Sequence, residues 1–312
     1  MGTVSTLLAA EGVPDTVRRI AGLMRTASFE ATRPSDQELA ALAGTAPPGT
    51  SIYLSALPGR PHDAELATAR KLRAAGFEPV PHLAARNFAS VAAFEGLLAR
   101  MAGEAGVTRV LVIAGDLDRP AGPFASALDV IERGLLQRHG IREVGIAAHP
   151  DGHPRLSDIE LDRALAAKID AAQQTDLGVH IVTQFCFDAA PVVAWLERLR
   201  ELGLDLPVRI GLAGPTSLAT LLRYAQRCGV KASAQGLARR AGLVKQMFSI
   251  NAPDRIVRAL ATAGPERLGD VALHFFSFGG LAATARWAAA VSAGRIALES
   301  DGFEVAPPHP VG

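Results

Sequence analysis

Arg109-Val110-Leu111-Val112-Ile113-Ala114 and, one helix-length later, Glu143-Val144-Gly145-Ile146-Ala147-Ala148 decide how this chain is read. Each is a short aliphatic and β-branched run that stops at small or polar residues, and the stretch between them, 125–139, has apolar residues at helical spacing. Strand, crossover helix and second strand of this kind imply a parallel sheet. Working outward, similar runs recur at 26–30, 51–55, 78–83, 180–183, 208–212 and 272–276, which makes eight strands in all. Helical stretches separate them at 35–44, 64–75, 90–105, 158–172, 191–202 and 217–228. Ser35 with Glu38 and Ser157 with Glu160 have the capping-box spacing, and Gly76 and Gly203 stand where helices should stop. The strand ends are spaced by roughly 30 residues until the last interval, where 232–248 and 253–262 read as extra helices. Eight βα units at near-constant spacing predict an α/β fold, a (β/α)8 TIM barrel in one domain over 1–300, with 301–312 as a flexible tail. An open doubly wound sheet is disfavoured because no Gly-x-Gly-x-x-Gly follows the first strand.

Composition narrows the function classes. Of 312 residues, 49% are hydrophobic, and 32 Lys and Arg balance 31 Asp and Glu. Such a chain can bury a sizeable core and carries no basic footprint for nucleic acid. No apolar stretch is long enough for a membrane helix, and two cysteines, Cys186 and Cys228, cannot make a disulfide framework. A cytoplasmic protein without nucleic-acid or membrane partners is expected, and apolar helix faces leave room for a homo-oligomer.

Barrel chemistry belongs at the C-terminal ends of strands. The polar residues there are Glu30, His82, Asp116 after Gly115, His149, His153 and Gln184. A Glu near the barrel interior is expected to have its pKa raised toward that of a general acid, with a surface pair to Arg33 as the plain alternative. Asp116 reads equally as a helix cap. His149 and His153, with Asp116 or His82, offer a metal set for a hydrolase, although Pro150, Gly152 and Pro154 deny them a helix. Gln184 is either a buried amide bonded to backbone or a reader of a heterocycle edge. Cys186 reads as core.

Taken in order, these residues carry a resemblance. Ser28-Phe29-Glu30, Pro81-His82-Leu83, Gly115-Asp116, Ala148-His149-Pro150-Asp151-Gly152-His153-Pro154 and Thr183-Gln184-Phe185-Cys186-Phe187-Asp188 resemble, collinearly, the motifs of the methylenetetrahydrofolate reductase family. The resemblance implies a flavoprotein barrel interconverting 5,10-methylenetetrahydrofolate and 5-methyltetrahydrofolate, with FAD as cofactor, NADH or NADPH as electron partner and tetrahydrofolate derivatives as substrates. It implies Glu30 as general acid, Asp116 as the carboxylate beside pterin and flavin, and Gln184 as a pterin contact. Ser55, His82, Gly115, Asp116, His149, His153 and Lys168 fall at or near family positions that line FAD. The chain departs at Ala114, where the family has Arg, and at His149, where it has Tyr. A folate-binding barrel without flavin is the reading those departures suggest.

Overall fold

The computed structural model describes residues 14–56, 62–228 and 250–306. Eight parallel strands close on themselves: β1 (Ser28–Ala31), β2 (Ser51–Leu54), β3 (Glu78–Ala84), β4 (Arg109–Ile113), β5 (Glu143–Ala148), β6 (Gly178–Thr183), β7 (Val208–Ala213) and β8 (Val271–Phe276). Each pairs with its sequence neighbours and β8 returns to β1, so the expected TIM barrel is the observed fold.

Helix α1 (Asp15–Met24) precedes the barrel, which the sequence reading had not assigned. Between strands lie α2 (Asp36–Ala43), α3 (Asp63–Ala74), α4 (Val91–Ala105), α5 (Ala127–Glu132), α6 (Leu135–Arg138), α7 (Asp158–Gln174), α8 (Ala189–Glu201), α9 (Leu218–Arg227), α10 (Asp254–Ala263) and α11 (Pro265–Leu268). Both expected capping boxes are formed. The helix expected over 125–139 is two helices, because Gly134 takes a left-handed conformation at φ 60° and starts α6 anew. The helix expected over 232–248 lies outside the described residues.

After β8, α12 (Leu281–Ser292) packs on α1 and α2, and a hairpin pairs β9 (Ile296–Leu298) with β10 (Phe303–Val305). The expectation of a free tail from residue 301 is therefore corrected. Phe303 is buried and stacks on Trp287 of α12, so apolar contact fixes the chain up to this strand. Residues 307–312 lie outside the described set.

Strand alternation divides the core in two. Phe29, Ile52, Leu83, Val110, Val144, Ile181, Ile210 and Phe275 join the large apolar layer between barrel and helices. Inside the barrel a separate small cluster holds Tyr53, Val80, Leu111 and Val182. Polar side chains occupy much of the remaining interior, including the buried His82, His180 and His274.

Candidate active site at the barrel mouth

Glu30 stands at the C-terminal end of β1, in register with Phe276 on one side and Tyr53 on the other. Ser55 Oγ donates to Glu30 Oε1 at 2.7 Å. His274 Nε2 and His82 Nε2 lie 3.5 and 3.7 Å from Oε2. Ser28 Oγ is 3.0 Å from His274 Nδ1, and when the hydroxyl donates there, the imidazole proton is left on Nε2, facing Glu30. Neither Nε2 has a completed hydrogen bond. No ion pair to Arg33 is formed among the described residues.

The electrostatics of this cluster differ from expectation. Burial pushes the Glu30 carboxyl up, but His82, His274 and the Ser55 hydroxyl together outweigh it, and the net direction is down. Burial pulls both imidazoles below the usual histidine range. The net direction is thus opposite to the raised acid expected from burial alone.

Asp116 follows the Gly115 turn, is exposed, and does not cap α5, whose N-cap is Ser126. Burial first, then the charges of Glu30 and Asp116, push the Cys228 thiol up to about 11. Gln184 is half-buried, and its Oε1 accepts from the Phe185 backbone N–H at 3.0 Å. Cys186 is core, its thiol bonded to the Gln184 carbonyl and pushed up by burial.

A cavity of about 720 Å³ opens between the C-terminal ends of β4 and β5 and helices α5 and α7. Gly115, His149, His153 and Lys168 all line it, whereas Ser55 and His82 belong to the Glu30 cluster. Lys168 Nζ donates to the Ala147 carbonyl at 2.9 Å, and burial lowers its pKa to about 8. Burial, helped by His153 and Lys168, lowers His149 to about 4. The two histidine rings meet edge to face at 5.0 Å, and among the described residues no third His, Cys, Asp or Glu joins them as a metal set.

Several residues of the mouth were missed. Phe185, Phe276, Phe278 and Tyr224 build an aromatic wall, with Tyr224 stacked on Phe278 at 4.0 Å. Below Glu30, Tyr53 is packed edge-on to His274 at 4.6 Å, and its hydroxyl is 2.8 Å from His180 Nε2. His180 Nδ1 is in turn 2.7 Å from Glu143, which pairs with Arg109 at 2.7 Å. The available signal was period two: His180 and Val182 share a face of β6, as His274 and Phe276 do on β8.

The family profile of methylenetetrahydrofolate reductase matches residues 46–263, well over half of the chain. The chain belongs to the methylenetetrahydrofolate reductase family. Methylenetetrahydrofolate reductase 2 of Saccharomyces cerevisiae is 33% identical over 132 residues, covering 39% of this chain and 21% of that one. The 5,10-methylenetetrahydrofolate reductase of Pectobacterium carotovorum subsp. carotovorum is 27% identical over 158 residues, covering 50% of each. That of Salmonella typhimurium is 26% identical over 128 residues, covering 40% of this chain and 41% of that one. The chain thus spans about half or less of the length of these curated relatives. The family match begins after β1 and ends before β8, so Glu30 and His274 lie outside it. Among the described residues no helix is long and apolar enough to cross a membrane.

Proposed function

We propose that this chain is a flavin-dependent oxidoreductase interconverting 5,10-methylenetetrahydrofolate and 5-methyltetrahydrofolate, with NADH or NADPH as electron partner. The observation that carries this reading is the largely buried Glu30 carboxylate with Ser55, His82 and His274 at the C-terminal end of the barrel, whose β4 and β5 ends open on a cation-lined cavity. The cavity fits a flavin dinucleotide in size and character: its volume of about 720 Å³ lies in the range of cofactor sites. Gly115, His149, His153 and Lys168 would hold the cofactor, with Lys168 suited to an anionic diphosphate. FAD, when bound there, supplies the hydride exchange.

The chain's own residues supply the proton handling. Glu30 is the acid that protonates the folate ring nitrogen as the one-carbon bridge opens, and the base in the reverse direction. A heterocycle closing the mouth removes the remaining water from Glu30, which pushes its carboxyl upward and favours the protonated acid. His82 and His274 are the titratable neighbours of Glu30, and Ser28 holds the His274 ring at that contact. Asp116 contributes negative charge at the mouth where a cationic one-carbon unit develops. Gln184 reads the pterin edge once its amide leaves the Phe185 N–H. The half-buried Phe276 and Phe278, backed by the fully buried Phe185, offer ring surface to a pterin.

A visible spectrum of the full chain with FAD, before and after anaerobic 5-methyltetrahydrofolate, tests this. Bleaching near ~450 nm is expected from flavin chemistry. Retained folate with no bound flavin would instead favour the folate-binding barrel, and flavin that stays oxidised in the presence of folate would overturn the reaction.

A further inference from the structure

We infer that Arg86 is an anion-binding residue of the cavity, acting with Lys168 on a diphosphate-class ligand; the inference takes the flavin reading only for the ligand's identity. Arg86 sits in the 3-10 turn Ala85–Asn87 that ends β3, one strand away from Ala114. Its backbone N–H donates to the Ala114 carbonyl at 3.0 Å, which ties the turn to the end of β4. Its side chain turns toward the same cavity that Ala114 lines.

The guanidinium is held without being neutralised. Nε donates to the Ala125 carbonyl at 2.8 Å and Nη1 to the Leu117 carbonyl at 3.1 Å. Among the described residues no bond uses Nη2 and no carboxylate pairs with Arg86. The other arginines of the cavity are different: Arg155 pairs with Asp118 at 3.4 Å and Arg198 with Asp162 at 3.3 Å. Lys168 is the second cation of the lining that no carboxylate pairs among the described residues; its Nζ donates to a carbonyl. The remaining acid of the lining, Asp158, is exposed in the first turn of α7.

Two half-buried cations facing one cavity lose solvation, a cost that an incoming anion offsets. A guanidinium also keeps its charge at any working pH and offers its free edge to two phosphate oxygens at once. Carbonyl contacts on Nε and Nη1 orient that edge in advance, which lowers the ordering cost of binding. The small side chains of Ala114, Gly115, Ala147 and Ala148 leave room for the phosphates to approach. A diphosphate reaches this protein from two sources, FAD or a nicotinamide dinucleotide, and both present the same chemistry.

The test is a set of binding titrations on the full chain: FAD and riboflavin by quenching of flavin fluorescence, NADH by its own fluorescence, and inorganic pyrophosphate as competitor. Arg86→Met should weaken FAD binding roughly 10- to 100-fold, the worth of a charged hydrogen-bonded contact. It should flatten the salt dependence, abolish competition by pyrophosphate, and leave riboflavin binding unchanged. Arg86→Gln, which keeps an amide donor for the Ala125 carbonyl but no charge, should behave alike and serves if the Met variant folds poorly. Unchanged FAD affinity and salt dependence in either folded variant, or equal loss of FAD and riboflavin, would overturn the inference. Arg86-dependent binding of NADH and pyrophosphate without FAD binding would sustain it while the flavin reading fails. No binding of any of these ligands to the wild-type chain would sink it.

Discussion

Glu30 and Glu143 stand at opposite ends of the same barrel, each against a buried histidine, yet they are built for different work. Glu143, at the start of β5, has Arg109 at 2.7 Å and His180 at 2.7 Å, and the His180 contact followed by the Arg109 and Arg209 charges holds its carboxyl down against burial. Glu30, at the end of β1, has no cation of fixed charge within ion-pair distance among the described residues. Its partners are a hydroxyl and two imidazoles whose pKa burial pulls below the usual histidine range. A guanidinium locks a carboxylate in one protonation state, whereas imidazoles and a hydroxyl let it gain and lose a proton. This matches the division of a TIM barrel into a chemical C-terminal face and a structural N-terminal one.

The sharpest way to break the comparison is to neutralise each acid. Glu30→Gln should lower folate-dependent turnover by about 10²- to 10⁴-fold, the usual worth of a positioned acid or base. Flavin reduction by the nicotinamide should persist, measured as a separate half-reaction by stopped flow. Loss of both half-reactions in equal degree would remove Glu30 from proton transfer. Glu143→Gln should do the reverse: a loss of about 1–3 kcal/mol in denaturant unfolding, discounted for the partial exposure of Arg109, with turnover per folded molecule kept within a few fold. If Glu143→Gln silences turnover without destabilising the chain, the two acids are coupled through Tyr53 and the division fails.

A third test addresses what separates the two ends. Gly145 lies opposite His180 in the β5–β6 register. A Cβ there would approach His180 Nε2 at 2.7 Å and Leu111 Cδ1 at 3.1 Å. Gly145→Ala should therefore displace His180 from Tyr53 and cost about 1–3 kcal/mol, as overpacking of a tight core does. A wild-type melting curve would show that this interior column can shift at little cost.

The two ends also differ in how far the sequence exposed them. All eight strands were legible, because each is an apolar run bounded by small or turn-forming residues, and their even spacing carried the closure. Glu30, Asp116 and His149 were visible because they sit where such runs stop. The interior column of Tyr53, His180, Glu143 and Arg109 was not, since an inward polar residue within an apolar strand looks the same in one dimension as an outward one. His274 was hidden for that reason, inside Leu273-His274-Phe275. The direction of the Glu30 shift was misread because burial was visible, while the three partners that counter it come from β2, β3 and β8. The last hairpin was missed because Phe303 is held by Trp287, a contact no local pattern announces.

The smallest expected effect concerns His149, in the cavity beside the mouth. Its folded pKa is lowered to about 4, while in the unfolded chain it titrates near the ordinary histidine value. Between those two values the unfolded chain binds a proton that the folded chain refuses, so folding stability must fall as pH drops from about 6.5 toward 4. His149→Gln should flatten this part of the stability profile, followed as melting temperature against pH in the ligand-free chain. A diphosphate held by Lys168 and Arg86 would favour the protonated imidazole and shrink the same acid loss in the wild type. A profile that is identical with and without His149 would mean that the ring reaches solvent, and that the cavity is less enclosed than its lining implies.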